Sequence, residues 1–153
     1  MYDLKGLLII NGTDVWTEFG AFLVEEKKGG RENLTAILTP AKAKSHVGVN
    51  IREHNGTKYS AKLDSRSEER DVTLHFAIFA KTKSEWLHNY TTFISFLKEG
   101  KDGWLQVRFP ELDLTMRMFY VDASSFKPLT YLWKEGVQAS RFKVKFREPE
   151  PTF

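Results

Sequence analysis

The chain contains no cysteine. That absence removes disulfides, thiol catalysis and Cys-ligated zinc together. No apolar run approaches the ~20 residues a membrane span requires, and Leu7-Leu-Ile-Ile10 is too short for the core of a signal peptide. The protein is therefore expected to stay in the cytoplasm where it is made, away from membranes. Histidine is scarce: His46, His54, His75 and His88 form no HxH, HExxH or HxxxH pair, so they read as surface or packing residues and not as a metal site. The adjacent carboxylates Glu25-Glu26 and Glu68-Glu69 sit in charge-mixed turns, with no sign of the opposed pair in a cleft that acid–base hydrolysis needs. There is no GxSxG, Walker loop or GxGxxG. Gly29-Gly30 and Gly100-Lys-Asp-Gly103 read as turns, and the Asn-x-Thr sequons at Asn11, Asn33, Asn55 and Asn89 as chance. Nothing here builds an active site, so the expectation is a protein that is not an enzyme and takes no cofactor or metal.

What is present fits one globular domain over residues 1–153, a length sufficient to bury a proper core. Twelve phenylalanines raise the aromatic share to 14%, which suits sheet faces and subunit contacts. The net charge of +3 is small and dispersed, as in Glu25-Glu-Lys-Lys28 and Arg66-Ser-Glu-Glu-Arg70. A charge-mixed solvated surface explains it, and no direct sequence-specific nucleic-acid binding is expected.

The centre of the chain is the stretch from Asp71 to Val121. Val72, Leu74, Phe76, Ile78 and Ala80 alternate with Thr73, His75, Ala77 and Phe79, which predicts a strand. Thr82 and Glu85 then stand at capping-box spacing, and Trp86, Leu87, Tyr90, Phe93, Ile94 and Leu97 recur at helical spacing. Gly100 closes this single amphipathic helix, predicted over about residues 84–98. Two further strands follow, Trp104–Phe109 and Leu112–Val121, the latter with Leu112, Leu114, Met116, Met118 and Tyr120 on one side.

Earlier in the chain, Leu7–Ile10 reads as a strand, Asn11-Gly12 as a type I′ turn and Val15-Trp16 as the start of a returning segment. Phe19–Val24 and Leu34–Leu38 read as second and third strands, the third halted by Pro40. Val47, Val49 and Ile51, then Tyr59, Ala61 and Leu63, alternate with small or polar residues about Asn55-Gly56. This is a hairpin signal with a thin inward set, and a protruding or edge hairpin over about residues 43–63 is predicted. Asp122 to Gly136 reads as a connection unusually apolar for solvent. Gln138–Arg147 is a last strand whose Arg141, Lys143, Lys145 and Arg147 suggest an edge protected by charge or a phosphate-facing row, the edge being favoured. The sum is α+β and mainly β, an antiparallel sandwich or open barrel of about seven to nine strands with one helix on it.

Three features point to self-association: the thin hairpin, the apolar connection at 129–133 and the aromatic excess. The candidate subunit interface is Val47, Val49, Ile51 and Tyr59 on the hairpin, with Leu132 and Trp133 in the connection.

The order of elements resembles the phage distal tail proteins of the siphovirus type. The resemblance rests on Leu8-Ile-Ile-Asn-Gly-Thr-Asp14 leading into Phe19-Gly-Ala-Phe-Leu-Val-Glu25, on a helix ending Phe96-Leu-Lys-Glu-Gly100, and on a closing basic strand before Glu148-Pro149. It covers nearly the whole chain as an arrangement, through short motifs, and extends to the related tail-tube fold. It implies a helix-flanked β-sandwich forming six-fold rings that join the tail tube to a receptor-binding baseplate. The implied setting is a virion tail, with the protein synthesised in the bacterial cytoplasm; the implied partners are further copies of itself and other tail or baseplate proteins. Many members carry a further galectin- or carbohydrate-binding-like domain, which this chain does not show, so no carbohydrate-contacting role is implied. The alternative is a small monomeric β-rich module recognising a ligand or peptide at a sheet edge, with a concave aromatic site around Trp104 and Trp133.

Overall fold

The computed structural model describes residues 4–25, 27–129 and 138–153. Its first feature is the hairpin read from Asn11-Gly12, in which β1 (Ile9–Ile10) and β2 (Thr13–Asp14) pair antiparallel with Ile10 opposite Thr13. Asn11 at φ 52° and Gly12 at φ 78° both occupy the left-handed region that a type I′ turn requires. The returning strand is Thr13–Asp14, and Val15-Trp16 instead open α1 (Val15–Phe19). Asp14 decides this by accepting the Trp16 N–H at 3.2 Å, an N-cap that starts a helix where a strand was expected. β3 (Ala21–Leu23) follows.

Leu34–Leu38 is not a strand but part of α2 (Glu32–Leu38). Five apolar-rich residues are too few for periodicity to separate helix from strand. A long-range side-chain contact decides: the Asn33 amide is buried, donates to the Val24 and His75 carbonyls at 2.8 and 3.3 Å, and accepts the His75 N–H at 2.7 Å. One side chain thus pins α2 to the neighbouring strands. The hairpin strands β4 (Gly48–Val49) and β5 (Lys58–Tyr59) come next, then β6 (Arg70–Ala80).

The expected helix is α3 (Lys83–Glu99). The Thr82 hydroxyl accepts the Glu85 N–H at 3.1 Å, and Gly100, at φ 50°, packs so closely that a side chain there would meet the Trp104 carbonyl at 2.4 Å. Trp86, Phe93 and Leu97 are buried, and Tyr90, Ile94 and Phe96 pack partly against the core. Leu87, expected on that face, is exposed; Phe96 takes its share by lying against Phe19. With α1 and α2 there are three helices among the described residues, not one.

β7 (Leu105–Phe109) and a 3-10 turn (Pro110–Leu112) lead into β8 (Leu114–Pro128), and β9 (Gln138–Glu148) closes the sheet. The strand order is β2-β1-β7-β8-β9-β6-β3, every neighbour antiparallel. The result is mainly β, a curled seven-stranded half-barrel, the open-barrel form of the expected fold. β8 produces the curl: Leu114–Met118 pair with β7, whereas Phe119–Pro128 pair with β9 across two register shifts.

Two expectations are corrected here. Asp122–Pro128 is strand and not connection, because β9 supplies a partner that the irregular alternation around Ser124-Ser125 conceals. β9 is central and not an edge, paired with β6 along its whole length and with β8 on the other side. Its Phe142, Val144 and Phe146 join the β6 residues Val72 to Ala80 in one core, capped by the Phe93 ring, which lies 5.3 to 6.2 Å from the rings of Phe19, Phe76 and Phe142.

Candidate assembly surface

The arm leaves α2 through Thr39-Pro40. Its base is a short antiparallel ladder in which Lys44 N–H donates to the Arg66 carbonyl and Glu68 N–H to the Lys42 carbonyl, both at 2.7 Å. Ala43 bridges Ser67. At the tip Gly48 faces Tyr59 and Val49 faces Lys58. Gly48 is there because the Tyr59 ring and the Thr57 methyl lie over it, and an added Cβ would come within 2.8 and 2.6 Å of them. The predicted hairpin is therefore present, with a much shorter ladder than its alternation suggests.

Of the predicted interface residues, Val47 is 90% exposed, Val49 59% and Tyr59 50%. Ile51 is half-buried and lines a small hollow of the tip with Val49 and His54. None of the four belongs to the hydrophobic core. Leu132 and Trp133 lie outside the described residues.

Sequence reasoning missed what holds the root of this arm. Arg70 is buried; its Nε donates to Glu148 Oε1 at 2.7 Å and a second guanidinium N–H donates to the Thr39 carbonyl. The guanidinium lies 4.7 Å over the Phe153 ring, and the Phe153 carbonyl accepts the Ala41 N–H at 3.1 Å. A signal did exist. Arg70 is in phase with the inward Val72 and Leu74, and Glu148 with Val144 and Phe146, so opposite charges head the inward faces of two strands.

Below the arm root, Leu7, Leu8, Val15, Leu23, Leu34 and Leu112 line a mainly apolar groove of about 300 Å³. Leu7, Leu34 and Leu112 are exposed at 39%, 39% and 41%. Glu25, Arg31 and Glu111 contribute to its wall. Glu25 accepts the Glu32 N–H at 3.0 Å, and a side-chain hydrogen bond with Glu32 pushes the Glu25 carboxyl above its ordinary range.

The helix-free face of the sheet carries the basic row of β9. Arg147 donates to Asp71 at 2.8 Å and Lys145 stands 3.6 Å from the same carboxylate. The Arg147 hydrogen bond is the main reason the Asp71 carboxyl lies below its usual range. Lys27, Lys127, Arg141 and Lys143 surround a shallow hollow of about 320 Å³ beside His75. Trp104 offers no open aromatic platform: Arg117 stacks 3.7 Å over its ring and Phe119 meets it edge-on at 5.7 Å. Among the described residues no group of three acidic or histidine side chains could hold a metal, and no helix is long and apolar enough to cross a membrane.

The curled antiparallel half-barrel with its packed helix and projecting arm has a counterpart of similar fold among solved structures. A solved structure of the Dit protein (gp 19.1) of phage SPP1, described as a paradigm of the hub adsorption apparatus in phages infecting Gram-positive bacteria, matches it with a TM-score of 0.61. Sequence identity is 11%, over 95% of this chain and 50% of that one, so the likeness is one of fold and the present chain spans half the length of its neighbour. No protein-family model matches the sequence, and no curated protein is significantly similar to it.

Proposed function

We propose that the protein is a structural, non-enzymatic component of a phage or prophage tail, a ring-forming adaptor of the distal tail or tail-tube type between tube and baseplate. The observation that carries this reading is the arm. It projects Val47, Val49 and Tyr59 into solvent from a root fixed by a buried ion pair, on a fold shared with a phage hub protein. Exposed apolar residues on a firmly rooted element favour association, since removing them from water contributes roughly 25 cal/mol per Å². A closed ring needs heterologous contacts, in which one patch meets a different one on the neighbour, and a six-fold ring of copies is the proposed state. Other tail or baseplate proteins would stack above and below it in the virion tail.

The monomeric binding-module alternative has less support. The aromatic site it requires around Trp104 is not open, since Arg117 stacks over that ring and Phe119 meets it edge-on. Light scattering with negative-stain microscopy separates the two readings. The full chain should form rings or stacks at high concentration, and deletion of Lys44–Lys62 should leave a folded monomer that no longer assembles. A full chain that stays monodisperse and monomeric at every concentration would defeat the assembly reading, and a deletion that unfolds the protein would place the hairpin in the core.

A further inference from the structure

The arm and the groove differ in chemistry in a way that suits each to the other. Residues 42–66 hold six Lys or Arg (Lys42, Lys44, Arg52, Lys58, Lys62, Arg66) against Glu53 and Asp64, a net of +4. The whole chain is +3, so everything outside the arm sums to −1 and the positive charge of the protein resides in the arm. The groove beneath α2 has the opposite bias. Glu25 and Glu111 are in its wall, Glu32 adjoins Glu25, and Arg31 is the basic side chain among its lining residues. The Glu25 and Glu32 carboxyl groups crowd one another, the situation a neighbouring ammonium group relieves.

Shape agrees with charge. About 300 Å³ is at the small end of ligand cavities, which run from roughly 300 to 1,000 Å³, and suits the branched side chains of one extended segment better than a helix. Val47 and Val49 are such side chains, both exposed, on either side of Gly48 at the arm tip. They do not serve the groove of their own chain, because no arm residue lines it.

Building on the ring-forming reading above, we infer that the arm of one copy inserts its Val47–Val49 edge into the Leu7–Leu34–Leu112 groove of a neighbouring copy, setting arm lysines against Glu25 and Glu111. Passed in one direction from copy to copy, this contact closes a ring or builds a stack.

The absence of cysteine makes this directly testable. Full chains carrying Val49→Cys and a mass-tagged Leu34→Cys chain are mixed under mild oxidation. The control pairs Val49→Cys with Ser124→Cys, an exposed position on the helix-free face. Docking predicts a disulfide-linked heterodimer for the first pair at least ~10-fold above the control, because docked thiols have a high effective concentration. The Leu34→Lys chain, with its arm intact and its far-UV spectrum unchanged, should associate at least ~10-fold more weakly than the parent. Equal yields in both pairs, or no Val49–Leu34 product, would overturn the arm-in-groove contact. If the parent chain still forms rings and loses them on deletion of Lys44–Lys62, the ring-forming reading survives that failure; a parent that never assembles ends both.

Discussion

The helix-on-sheet body and the arm are built by opposite rules. In the body, apolar residues arrive at helical or alternating spacing and find partners from distant parts of the chain. Phe93 is in contact with rings from α1, β6 and β9, and Trp86 closes its one polar atom by donating Nε1–H to the Ser140 hydroxyl at 3.0 Å. In the arm the same alternation is present, yet Val47 is 90% exposed and only two residue pairs form a ladder at the tip. Alternation specifies which residues share a face, but whether that face is buried depends on what else the chain can bring to it.

That contrast is broken most severely by emptying the body. Phe93→Ala removes a fully buried ring and should cost about 3–5 kcal/mol in denaturant unfolding, whereas Val47→Ser, its counterpart in the arm, should change stability by less than about 0.5 kcal/mol. A comparable loss for both would erase the distinction. The next effect sharpens the boundary between the two regions. Glu148→Ala strands the buried Arg70 without its carboxylate and should destabilise by about 3 kcal/mol, with faster proteolysis at the arm root. Replacing both partners, as Arg70→Met with Glu148→Leu, should recover most of that loss, since a buried charge left alone is the costly species.

The smallest effect lies on the helix-free face. Asp71 has its carboxyl lowered, chiefly by the Arg147 hydrogen bond. Its stabilising contribution is therefore present above the ordinary carboxylate value near ~4 and is lost as pH falls through the lower folded value. Asp71→Asn should cost under about 1 kcal/mol at neutral pH, the range for exposed pairs, and should flatten stability over that acidic window. An unchanged acid limb in thermal melts of the variant would assign the pH dependence to other carboxylates.

Local signals in the sequence were legible where one segment decides its own structure. Asn11-Gly12 makes its turn, Thr82 and Gly100 bound α3, and β6 buries the alternating set the pattern names. The short motifs behind the family resemblance turn out to be local devices of this kind: Asn11 also accepts the Gln106 N–H at 2.7 Å and so joins the first hairpin to β7. Illegible features depend on long-range partners. α2 follows from Asn33 meeting Val24 and His75, and the second half of β8 exists because β9 pairs with it. The charged row of β9 resembled edge protection because sequence does not reveal that both neighbours are occupied. The arm could be read from its thin inward set, whereas the groove could not, since its lining comes from segments that only the fold gathers.

The place of β9 also sets an order in time. It lies between β8 and β6 in space, but its pairs with β6 join residues 58 apart in sequence at Ala80–Gln138 and 78 apart at Arg70–Glu148. A chain emerging from the ribosome holds β6 and α3 with their shared apolar face incomplete until β9 is inserted between the two halves of the sheet. Pairings of such long range are slow to form. The arm root is locked in the same event, because Glu148 belongs to the strand that arrives last. Completion of the sheet and fixing of the arm root therefore coincide.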